Sequence, residues 1–102
     1  MAILKLTKDN FDTAKTSEKT VLIDFYADWC GPCRMVSPII DAIAEERPEL
    51  LVCKVNVDDE QELAQAFGIM SIPTLVVMKD GKIINKASGA MPKSSILELL
   101  NV

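Results

Sequence analysis

The chain has 102 residues, of which 49% are hydrophobic and 25% charged, and a formal net charge of -4. That length suits one domain with one core of ordinary size, and an acidic balance without a basic run excludes the positive footprint from which nucleic-acid recognition starts. No apolar run approaches a membrane span, and Met1-Ala2-Ile3-Leu4-Lys5-Leu6 lacks the charged and long apolar segments of a secretory signal, so a cytoplasmic protein without membrane contact is expected.

Ala2 to Leu6 alternates enough to predict a short strand, and Thr7 then caps a helix from Lys8 to about Glu18, with Phe11 and Ala14 as its apolar pair. Val21 to Ala27 reads as a strand rich in bulky apolar residues, and it ends at Trp29-Cys30-Gly31-Pro32-Cys33. Helical spacing follows, with Val36, Ile39, Ile40 and Ile43 on one face and Pro38 inside, where a kink is expected. Leu51 to Val57 is a second buried strand, after which a helix from about Asp59 to Phe67 closes at Gly68. Thr74 to Lys79 and Lys82 to Ser88 pair through Asp80-Gly81 as a hairpin. Pro92 opens a last helix whose Ile96, Leu97 and Leu100 make one apolar face. The order β-α-β-α-β-α-β-β-α implies parallel strands joined by crossovers plus an antiparallel hairpin, hence an α/β fold with one mixed sheet between helices.

The cysteine pair carries the chemistry. Residues three apart on the first turn of a helix are neighbours at roughly 5 to 6 Å, inside the window a disulfide requires, so Cys30 and Cys33 can close and reopen without moving the fold. Cys30, at the helix start and expected to be exposed, faces unsatisfied backbone N–H groups and the positive end of the helix dipole, which favour thiolate; Cys33 lies one turn in. Pro32 loses nothing in a first turn, and Gly31 keeps the approach to Cys30 free of side-chain bulk. Three cysteines do not make a disulfide framework, and the absence of histidine removes the usual metal ligand and the usual neutral-pH base. A static disulfide and half of a zinc site are the bland alternatives, the second short of ligands because Cys53 is the one further cysteine.

Cys53 shares an alternation face with Val55 and Val57 and reads as core. Asp58, Asp59, Glu60 and Glu62 lack the spacing of a calcium loop, and the start of a helix accommodates their charge. Asp24 is more telling, because it interrupts Val21-Leu22-Ile23 and Phe25 in a strand that should be covered on both faces. Either it is a solvated edge residue, or it is a buried carboxyl with a raised pKa that exchanges a proton with the thiols. Trp29, the single tryptophan, is either core or a shield beside the pair.

Taken together, Trp29-Cys30-Gly31-Pro32-Cys33, Asp24, Pro38, Lys54, Ile72-Pro73-Thr74 and Gly89 at these separations make the whole chain resemble the thioredoxin family. Departures are mild: Tyr26 stands where tryptophan is frequent, Arg34 where lysine is, and Met70-Ser71 precede the Ile-Pro pair. The resemblance implies a mixed five-stranded sheet with four helices on both faces, and a cis Ile72-Pro73 bond lying against the cysteines. It implies roles as well: Cys30 as nucleophile, Cys33 as resolving thiol, Asp24 as proton acceptor and donor, and Lys54 as the charge that tunes Asp24. Trp29, Ile72, Pro73, Gly89 and Ala90, with Gly31 and Pro32, would form an apolar contact surface for protein segments. The implied activity is reduction of disulfide-containing proteins by a monomer without a bound cofactor, re-reduced by an NADPH-dependent thioredoxin reductase. Two rivals stand beside it: an oxidant or isomerase of the same fold, disfavoured because Gly31-Pro32 adds no charge or donor, and a binding module in which the thiols are incidental.

Overall fold

The computed structural model describes residues 3–101. Among them, five strands form one sheet: β1 (Leu4–Lys5), β2 (Thr20–Tyr26), β3 (Leu50–Asn56), β4 (Thr74–Lys79) and β5 (Lys82–Ser88), in the spatial order β1-β3-β2-β4-β5. β1, β3 and β2 run parallel, whereas β4 is antiparallel to β2 and β5 to β4, which is the mixed sheet the sequence implies. Four α-helices cover it: α1 (Phe11–Lys15), α2 (Gly31–Glu46), α3 (Gln61–Ala66) and α4 (Lys93–Leu99). None of these helices is long and apolar enough to cross a membrane.

Strand alternation divides the apolar residues between two faces. Val21, Ile23 and Phe25 of β2 join Cys53 and Val55 of β3 under α1 and α3, where the Phe67 ring lies 5.2 Å from Phe25 and 5.6 Å, edge-on, from Phe11. On the other face Leu22, Val52, Leu75 and Val77 meet Val36, Ile40 and Ile43 of α2 and Ile96 of α4. Val36, Ile40 and Ile43 recur at helical spacing, which is why α2 lies along the sheet with one buried stripe. Asp24 and Lys54 follow Leu22 and Val52 by two residues and so belong to the face under α2.

Differences from the sequence reading lie at element ends. Of the predicted first strand, Ala2 falls outside the described residues. The first helix is shorter than Lys8 to Glu18: a 3-10 turn over Lys8–Asn10 leads into α1, whose one buried residue is Ala14, and Thr16 Oγ1 donates to the Asp12 carbonyl at 2.7 Å where the helix stops. Thr7 is the N-cap as expected, and the Asn10 side chain accepts its N–H at 2.7 Å. α3 starts at Gln61 rather than Asp59, because the Asp59 and Glu60 N–H groups bond the Asn56 carbonyl in a turn. It closes as expected at Gly68, whose φ of +66° lets Ile69 N–H reach the Ala64 carbonyl at 3.0 Å. α2 continues through Pro38 as one helix, and Pro92 opens α4 as its N-cap. Asp80 and Gly81 both take positive φ, the geometry of a tight hairpin turn.

Candidate active site

β2 delivers the chain to the cysteine pair. Cys30 caps α2 in an extended conformation, Gly31 and Pro32 fill the first helical positions, and Cys33 completes the turn. Cys30 and Cys33 are joined as a disulfide with Cα atoms 5.3 Å apart. The Cys33 backbone N–H points at Cys30 Sγ at 3.2 Å, so one of the orphan donors of the helix start is spent on that sulfur. Cys30 Sγ also lies 3.9 Å from the Ile72 carbonyl oxygen, and the Ile72-Pro73 bond is cis. The segment therefore sits against the cysteines.

Exposure does not separate the two thiols. Cys30 is 4% exposed and Cys33 3%, so the expected exposure of Cys30 is corrected: both pack with Ala27 under Tyr26, Val57 and Ile72. What distinguishes Cys30 is its partners, the helix N–H and the Ile72 backbone.

Trp29 is not core. It is 68% exposed, and its Nε1 donates to Asp58 Oδ2 at 2.9 Å, a bond that ties the ring to the turn after β3. Gly31, Pro32 and Ala90 are exposed, Ile72 and Gly89 half-buried. Pro73 is buried, and it takes part through its carbonyl, which accepts the Gly89 N–H at 2.8 Å and so holds the Gly89-Ala90 loop beside the disulfide. Met70 and Met35, 97% and 69% exposed, are further apolar residues to which the sequence assigned no part in the contact surface. Their signal was present in Met70-Ser71 before the Ile-Pro pair and in Met35 one step from the buried Val36.

Asp24, on β2 under α2, is 1% exposed, which removes the reading as a solvated edge residue. Its Oδ1 is a buried side-chain oxygen without a hydrogen-bond partner. Burial pushes the carboxyl up to about 6, the Lys54 cation pulls it down, and the Asp41 anion adds to the rise. Lys54 is the register partner of Asp24 across β2 and β3, but its Nζ bonds α2: it donates to Ser37 Oγ at 2.7 Å and to Asp41 Oδ1 at 3.0 Å. A cleft of about 290 Å³ opens between Tyr26, Asp28, Cys33, Ser37 and Lys54, so the inner cysteine and the lysine share one solvent-facing recess. Ser37 and Asp41 were not picked out in the sequence, although they lie four residues apart on the helix that covers Lys54.

Elsewhere, Cys53 is fully buried, and burial pushes its thiol up to about 12. Of the acidic run, Glu60 and Glu62 both meet Lys8, Glu60 accepting its N–H at 2.8 Å and Glu62 pairing with its ammonium, and Asp58 meets Trp29.

The chain matches the family model described as Thioredoxin over residues 2–102. It is 46% identical over 102 residues to a thioredoxin of Bacillus subtilis, covering 99% of this chain and 97% of that one. A thioredoxin of Listeria monocytogenes is 45% identical over 100 residues, covering 97% and 96%, and one of Porphyra purpurea 45% over 103 residues, covering 99% and 96%.

The chain belongs to the thioredoxin family.

With the disulfide formed at the start of α2, it is a thiol-disulfide oxidoreductase, of the protein-disulfide reductase kind. The cis Ile72-Pro73 bond beside Cys30 is the arrangement the resemblance implied.

Proposed function

We propose that this single-domain thioredoxin reduces disulfides of other proteins in the cytoplasm, with Cys30 as nucleophile, Cys33 as resolving thiol and Asp24 as the group that moves the proton. In the reduced chain, Cys30 thiolate attacks one sulfur of a target disulfide. A Cys30-target bond forms, the target's sulfur-sulfur bond breaks, and the first target thiolate leaves. Cys33 then gives its proton to the Asp24 carboxylate and attacks Cys30 Sγ, which releases the second target thiolate and leaves Cys30-Cys33 oxidised. Both target thiolates take protons from water or from Asp24. Two electrons have passed to the target.

The carrying observation is the Cys33 N–H at 3.2 Å from Cys30 Sγ. A helix-start donor aimed at that sulfur favours negative charge on Cys30 rather than on Cys33. Ile72 supports the same assignment: its backbone lies beside Cys30, where an extended target strand can pair with it. Trp29, Gly31, Pro32, Gly89 and Ala90 supply the apolar contact around that strand, and Pro73 shapes it from below.

An NADPH-dependent thioredoxin reductase restores the dithiol, and the monomer needs no bound cofactor of its own. NADPH consumption with a thioredoxin reductase and a disulfide-bonded protein tests this: steady turnover is expected, and none with Cys30→Ser. No turnover with several reductases would turn the assignment toward an oxidant of the same fold.

A further inference from the structure

Lys54 faces Asp24 across the sheet, yet its ammonium is held by the helix above. Nζ donates to Ser37 Oγ at 2.7 Å and to Asp41 Oδ1 at 3.0 Å. Ser37 and Asp41 are four residues apart in α2, hence neighbours on one helix face. The two acceptors differ in depth. Asp41 is 56% exposed in its side chain against 20% for Lys54, so it draws the ammonium toward solvent, whereas Ser37 is half-buried and lines the cleft beside Cys33.

We propose that Ser37 and Asp41 are positioning residues that clamp the Lys54 ammonium at one place above Asp24, and thereby set the pH at which Asp24 exchanges its proton with Cys33. The proposal rests on the reading of Asp24 as proton acceptor. Its physical basis is the steep dependence of a charge's effect on distance in a poorly solvated recess. A lysine carries its charge on a flexible four-carbon stem, so without fixed partners its field on Asp24 is spread over many positions. Two hydrogen bonds from one rigid helix hold it at one.

The charged and titratable groups around Asp24 make the signs definite. β3 contributes the Lys54 cation, α2 contributes Asp41, and Tyr26 lies on the same strand; β4 places the apolar Leu75 opposite. Removing the Ser37 hydroxyl leaves the ammonium to Asp41, farther out, and weakens the attraction that holds Asp24 ionised. Removing the Asp41 charge frees the Lys54 field and deletes an anion that opposes ionisation of Asp24. Ser37→Ala therefore raises the titration midpoint of Asp24 and Asp41→Asn lowers it.

The test follows the carboxyl carbon resonance of Asp24 against pH in the oxidised protein, where neither cysteine of the pair titrates, with thermal unfolding confirming that each variant is folded. Expected shifts are roughly half a pH unit, upward for Ser37→Ala and downward for Asp41→Asn, while Ser37→Thr, which keeps the hydroxyl, returns to the parent value. The pH profile of the second exchange step moves the same way. Midpoints that coincide in all four proteins, or that move in one direction for both removals, overturn the clamp. The resonance reads Asp24 whether or not it takes the Cys33 proton, so a failed clamp is distinct from a failed proton role, which shows instead as an unchanged second step in Asp24→Asn.

Discussion

One residue along β3 separates Cys53 from Lys54, and one along β2 separates Ile23 from Asp24, yet the two sides of the sheet treat a buried ionisable group differently. Under α1 and α3, Cys53 has the apolar company of Val55, Ile23 and Phe67, and burial alone pushes its thiol up to about 12. Under α2, Asp24 is as deeply buried, but Lys54 and Asp41 act on it, and its carboxyl stands at about 6, within reach of neutral pH. Burial raises both groups, and it silences the thiol because that group starts at 9.0. The carboxyl starts at 3.8, so burial raises it to about 6 while Lys54 restrains the rise, and its titration stays in the range where it can exchange protons.

The sharpest way to break this comparison is to remove thiols from each side. Cys30→Ser or Cys33→Ser is expected to abolish turnover of a disulfide-bonded protein substrate, whereas Cys53→Ala retains it within about twofold, because a thiol held protonated is not a nucleophile. Equal losses in a turnover assay would remove the distinction between the two sites. On the same dry side, Phe25→Ala empties the contact with Phe67 and is expected to lower stability by about 4 kcal/mol. Urea unfolding checks it, and a loss well under 1 kcal/mol would show a side less tightly packed than described.

Asp24 sharpens the comparison through pH. Its folded value of about 6 lies above the ordinary 3.8, so the folded chain holds this proton more tightly than the unfolded one. The stability contributed by the neutral carboxyl is fully present below about pH 4 and is lost as pH rises through 6, a loss of roughly 3 kcal/mol. Asp24→Asn should therefore gain on the parent as pH rises from about 4 to about 7 in chemical denaturation series. Parallel curves for the two proteins would contradict the assigned burial. The smallest effect is expected at the surface, where Lys93 pairs with Glu46: Lys93→Ala should cost at most about 0.5 kcal/mol by thermal unfolding.

Much of this was legible before the structure, because the residues concerned answer to local rules. Asp80-Gly81 must turn, Gly68 must end a helix, and Val36, Ile40 and Ile43 must share a face. The first helix stops short of Ser17 and Glu18, which can be helical but have nothing to bury, and the helix after Asp59 begins late because Asn56 captures the turn. Trp29 was ambiguous for a different reason. A large aromatic packs wherever a wall exists, and Trp29 stands in solvent with its indole N–H tied to Asp58 from another strand end. Cys30 was expected to be open, but Ile72 comes from 42 residues away to cover it, a contact that no local pattern carries. Ser37 and Asp41 escaped notice likewise, since their importance depends on the register that places Lys54 beneath them.

Transfer of the Cys33 proton to the buried Asp24 carboxyl is the central step. Stopped-flow kinetics of the parent and Asp24→Asn, resolving formation of the Cys30-target disulfide from its resolution by Cys33, test it directly. The expected result is a first step at the parent rate and a slowed second step whose pH dependence near 6 is gone. Equal rates for both steps in the two proteins would contradict it.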